Sequence, residues 1–69
     1  MIFKLKTEDD FIKLGQILKA CNLVSSGAEA KIVIKDGYVK VNDQICEMRG
    51  KKIYRGDKVY YKNEKVEVI

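Results

Sequence analysis

The 69-residue chain contains no histidine. The commonest general base, the side chain that titrates near neutral pH and the commonest zinc ligand are therefore missing together. Its two cysteines, Cys21 and Cys46, are too far apart for the C-x-x-C spacing of a zinc or redox site, and each sits among apolar neighbours. They read as buried free thiols rather than a disulfide, because one bridge is a thin framework for a secreted domain. A reducing, cytoplasmic location is expected. Long apolar runs are missing too: the longest is three residues, so neither a signal peptide nor a membrane span is expected. The five glycines are isolated, which leaves no phosphate-binding P-loop and no dinucleotide fingerprint. The length itself excludes a second domain and a deep catalytic cleft, since a chain this short buries only about 60% of the surface its unfolded form exposes. Residues 1–69 are read as a single domain.

Local signals along the chain alternate between the two secondary-structure periods. Ile2 to Lys6 alternates apolar and basic residues and reads as an edge strand. Thr7, followed by Glu8, Asp9 and Asp10, has the form of a hydroxyl N-cap with carboxylates in a helical first turn. From it, Phe11, Leu14, Leu18 and Cys21 recur at helical spacing, with Ile17 widening the stripe while Lys13, Gln16 and Lys19 point away. Gly15 within this pattern suggests the close approach of another element. Ser26-Gly27-Ala28-Glu29 is a capping box opening a second helix that ends at Asp36 and Gly37. The period then becomes two. Val39 and Val41 lead into an Asn42-Asp43 turn and a return through Gln44 to Cys46, a hairpin. Arg49 to Lys52 reads as a basic loop, Arg55-Gly56-Asp57 as a turn, and Lys58–Lys62 and Lys65–Ile69 as strands. Strand, helix, helix, hairpin and strands describe an α+β domain, a helix pair packed on a small, mainly antiparallel twisted sheet.

Nothing in this pattern supplies catalysis. Glu8, Asp9, Asp10, Asp36 and Asp57 are each explained by a helix start or a turn, and Ser25 and Ser26 have no histidine to activate them. No catalytic residue, metal site, cofactor or small-molecule substrate is assigned. Charge placement is more informative. The formal net charge is +4, from 14 Lys and Arg against 10 Asp and Glu. Residues 1–34 are nearly balanced, whereas Arg49 to Lys58 holds five cations against Asp57 alone. Ser26 and Gly27 open a helix whose free amides suit a phosphate, with Lys31 and Lys35 on its outer face and Arg49, Lys51 and Lys52 able to complete a concave basic surface. Of the tyrosines, one of Tyr60 and Tyr61 is expected in the core, Tyr54 reads as a packing residue, and Tyr38 as helix-end packing rather than a stacking platform.

The ordered positions Leu18, Ser26, Ala30, Ile34, Gly37, Val39, Val41 and Asn42, then Gly56-Asp57 and Val59, resemble the S4 RNA-binding domain. That module is shared by ribosomal protein S4, tyrosyl-tRNA synthetases, pseudouridine synthases and a heat-shock ribosome-binding protein. The run from Arg49 to Asp57 and the short length look most like the stand-alone bacterial YaaA-like subgroup. The resemblance implies RNA binding through the αL helix pair and the hairpin, without catalysis by the domain itself. Carried over by position, the RNA-facing residues are Ser26, Gly27, Lys31, Lys35, Lys40, Arg49, Lys51 and Lys52. This chain departs from the family at Gly27, where many members have an Arg, and at Asp43, where many have a Gly. The expectation is a monomeric, non-enzymatic module for structured RNA, ribosomal or transfer RNA, with the ribosome as a candidate platform. The alternative is a protein-interaction or dimerisation module whose strands between Val59 and Ile69 pair edge to edge with a partner.

Overall fold

A computed structural model describes residues 1–69. The second helix and the hairpin form where the local signals place them. Ser26 Oγ accepts the Glu29 amide at 3.1 Å and caps a helix over Gly27–Lys35, α2. At its other end Gly37 adopts a φ of +83°, which lets the Gly37 amide reach Ile34 O and the Tyr38 amide reach Val33 O. This pair of bonds satisfies the last carbonyls of the helix. The chain then runs into β3 (Val39–Val41) and β4 (Gln44–Ile45), joined by Asn42 and Asp43 at φ +55° and +83°. Two consecutive left-handed residues make the turn whose twist matches a hairpin.

The first helix is shorter than the sequence suggests. It covers only Leu14–Ala20, α1, and Thr7 caps no helix; its hydroxyl donates to the Glu8 carboxylate at 3.4 Å. Residues Phe11–Lys13 form instead a strand, β2, antiparallel to a second strand that falls on the supposed basic loop, β5 (Lys52–Tyr54). The register sets Phe11 opposite Tyr54 and Ile12 opposite Ile53, so aromatic and β-branched side chains meet across the pair, which favours strand over helix. Lys51 O and Arg49 O accept the Leu14 and Gly15 amides, so the crossing segment satisfies the start of α1 that a side-chain cap would otherwise serve. At its far end α1 closes with Asn22 in the left-handed region, φ +58°.

The main sheet has the order β1-β7-β6-β3-β4, with β1 being Ile2–Phe3, β6 Lys58–Tyr61 and β7 Glu64–Val68. Only the β1–β7 pair is parallel. Strands β6 and β7 are therefore interior, each hydrogen-bonded on both sides. This corrects the expectation that Val59 to Ile69 offers free edges to a partner: the edges are β1 and β4, each two residues long. The inner face presents Val39, Val41, Val59, Tyr61, Val66 and Val68 to Leu14, Ile17, Leu18, Ala30 and Ile34 of the helices, in one buried cluster with Leu5, Val24 and Ile53. Tyr61 is thus the core tyrosine. Both cysteines are free but only half-buried, and burial pushes the Cys21 thiol up. Neither helix is long and apolar enough to cross a membrane.

Candidate functional site

The N-terminus of α2 is built from a wider capping arrangement than the sequence pattern. The Glu29 carboxylate turns not to Ser26 but to Ser25, accepting its amide and its hydroxyl at 2.7 Å each. These bonds, the Ser25 amide first, hold the Glu29 carboxyl below the usual glutamate range. The first helical bond is made by the Ala30 amide to Ser26 O, which leaves the Gly27 and Ala28 amides ahead of the hydrogen-bonded ladder and at the surface. A side chain at Gly27 would meet nothing within 4 Å, so the helix start is open on that side.

That opening is one end of a groove of about 390 Å³. Lys13, Gln16 and Lys19 line it from the β2–α1 segment, Gly27 and Ala30 from α2, and Arg49 and Gly50 from the loop before β5. Gly15 forms its floor, where a Cβ would lie 3.6 Å from the Arg49 Cβ and 4.0 Å from that of Ala30. The close approach expected at Gly15 is real, yet those are ordinary contact distances. Three cations and no carboxylate line the groove, so its field is of one sign and favours an anion. Lys13 and Lys19, which by periodicity belong to a wet helix face, line this groove. Their spacing with Gln16 was the available signal; only the fold shows what they face.

The other expected residues are distributed around this groove. Lys51 and Lys52 line an adjacent groove of about 570 Å³ between the hairpin and β5, together with Glu47, Asp57 and the apolar side chains of Ile45 and Met48. The Lys52 ammonium lies 4.9 Å from the Phe11 ring centroid, and that ring lies 5.9 Å from Tyr54. Lys31 and Lys35 are exposed on α2 and line neither groove. Lys40 alternates with the core residues Val39 and Val41 and therefore stands on the outer face of the sheet. Arg55, counted with the basic stretch, has a local role instead. Its guanidinium donates to Lys6 O at 2.8 Å and Asp9 O at 3.0 Å, holding the turn that precedes β2.

Asn42 ties the hairpin to the rest of the second groove. Its amide nitrogen donates to Asp57 Oδ1 and its oxygen accepts the Lys58 amide, both at 2.9 Å, while Asp57 Oδ2 accepts the Tyr54 amide at 2.8 Å. The strand carrying Lys52 is thereby fixed relative to the hairpin. No three Cys, Asp or Glu side chains gather where they could hold a metal ion.

Comparison with known proteins agrees with this architecture. Over 55 residues the chain is 38% identical to the probable ribosome maturation protein RlbA of Bacillus subtilis (strain 168), covering 80% of this chain and 78% of that protein. It also superposes on the solution structure of YbcJ from E. coli, whose αL motif is described as involved in RNA-binding. There the TM-score is 0.72 at 32% identity, covering 99% of this chain and 85% of that one. The S4 domain model matches residues 3–69, nearly end to end, and the chain belongs to the S4 domain family.

Proposed function

We propose that this protein is a non-enzymatic, cytoplasmic RNA-binding module that docks as a monomer on structured RNA, ribosomal or transfer RNA, by phosphate contacts and shape more than by base identity. One observation carries the reading: the groove at the start of α2 is lined by Lys13, Lys19 and Arg49 without a carboxylate. Cations and surface amides at a helix N-terminus are what a phosphate oxygen requires, and a folded RNA presents phosphates on a rigid frame that a concave surface can match. Lys51 and Lys52, on the neighbouring groove, add two cations beside the Glu47 and Asp57 carboxylates that also line it. The ribosome-maturation relative and the RNA-binding αL motif of YbcJ point to the same class of partner.

The test is equilibrium binding of a folded ribosomal RNA fragment by the wild-type chain and by a Lys19→Glu/Arg49→Glu variant. Both side chains are exposed, so the variant should keep its thermal midpoint within a few degrees and lose binding. Undiminished binding by a folded variant would refute this use of the groove.

A further inference from the structure

We infer that the outer face of the main sheet, whose groove shares no lining residue with the helix groove, is a second RNA contact that takes an unpaired nucleotide by stacking on Tyr38 and Tyr60. The inference rests on the RNA-binding reading above and adds a substrate class to it, single-stranded RNA beside the structured one. Tyr38 was expected to pack at the end of α2, yet it is 66% exposed. A tyrosine ring left in water costs solvation free energy that burial would recover, and a flat π face is what an unpaired base covers.

The surroundings fit that occupant. On the outer face, Tyr60 stands directly opposite Lys40 on one side and Lys65 on the other, so a lysine occupies the neighbouring strand position on each side of a half-buried tyrosine. Tyr38 lies two residues before Lys40, about 7 Å along the strand direction, and Tyr38, Lys40, Tyr60 and Lys62 line one shallow groove of about 360 Å³. Asp43 also lines it, Glu67 stands opposite Lys58 on the same face, and the Glu47 carboxylate lies beside Gly37 at the groove's edge; Lys40, Lys58, Lys62 and Lys65 outnumber these carboxylates. Lys62 is steered by its own neighbour, its ammonium lying 5.3 Å from the Tyr61 ring centroid. Aromatic rings interleaved with lysines on an uncovered sheet suit a strand whose bases are free to unstack, with phosphates on the ammonium groups. Inside a duplex each base face is covered by its neighbours, and only the two end pairs present one to such a surface.

The experiment uses two probes, a short oligouridylate and a blunt RNA duplex, each labelled and titrated with the full chain. Stacking of one base corresponds to roughly 5- to 150-fold in affinity. Tyr38→Ala should therefore weaken oligouridylate binding by at least about 5-fold and leave duplex binding unchanged, while Arg49→Glu should weaken duplex binding. In the wild type, the Tyr38 ring protons should shift upfield on adding oligouridylate. Equal oligouridylate affinity for wild type and Tyr38→Ala overturns the inference. So does wild-type binding to the duplex with none to the oligouridylate, a result that leaves the helix-groove reading standing. Binding to neither RNA overturns both.

Discussion

Replacing Asn42 separates two contributions that the structure places in one residue. Asn42 sits in the left-handed region at φ +55°, and its side chain makes the two bonds at 2.9 Å that join the hairpin to Asp57 and Lys58. For most L-residues the left-handed conformation costs about 1–2 kcal/mol, and Asn bears it better than Ala. Each neutral hydrogen bond contributes about 0.5–1.5 kcal/mol, and the solvent-exposed setting argues for the lower end, so the pair is worth about 1 kcal/mol. Asn42→Ala removes both contributions and should destabilise by about 2 kcal/mol, a fall in melting temperature of about 8–16 °C for a domain of this size. Asn42→Gly keeps the backbone conformation free and loses only the bonds, so its fall should be about half as large. Thermal unfolding followed by circular dichroism reads both. Equal losses for the two variants would refute the conformational part, and an Asn42→Ala change under about 0.5 kcal/mol would refute the whole.

Three further outcomes follow from individual side chains. Arg55→Ala should free the turn held through Lys6 O and Asp9 O and destabilise by about 1–2 kcal/mol, with faster amide exchange in residues 6–13; unchanged exchange there would refute the clamp. Asp43→Gly relieves a left-handed residue at φ +83° and should raise stability by about 0.5–1 kcal/mol in the same melting assay, while removing a carboxylate from the outer-face groove and tightening oligouridylate binding. Because Glu29 has its carboxyl lowered by the Ser25 bonds, its contribution is fully present above the unfolded glutamate value, about 4.3, and is lost as pH falls through the lower folded value. Glu29→Gln should therefore melt below wild type at neutral pH and match it in acid; a gap that persists in acid would contradict the assignment.

How much of this was legible in the sequence depended on the range of the interaction. The Ser26 cap, the Gly37 helix end and the Asn42-Asp43 turn are set by bonds within a few residues, and each forms where its pattern lies. The start of the first helix did not, because Phe11–Lys13 pairs with Lys52–Tyr54, some forty residues away, and a helical apolar period cannot reveal that competing partner. The clamp made by Arg55 is hidden for the same reason: its acceptors are carbonyls 46 and 49 residues distant. Family resemblance named Gly27 and Arg49, which share the cationic groove. It did not name Lys13 or Lys19, because an exposed lysine at the end of β2 and another on α1 look like ordinary solvation until Arg49 closes the opposite wall. Lys40, named with the helix residues, lies on the outer face because strand alternation puts it opposite Val39 and Val41.

The central claim is that this chain holds folded RNA by phosphate contacts from a definite set of cations, and the salt dependence of its affinity for a ribosomal RNA fragment tests it most directly. If Lys13, Lys19, Arg49, Lys51 and Lys52 all meet phosphates, the log–log slope against salt should be about −3.5 to −4.5, and Arg49→Ala should make it shallower by about 0.7–0.9. A slope near zero, or one that Arg49→Ala leaves unchanged, would contradict the account.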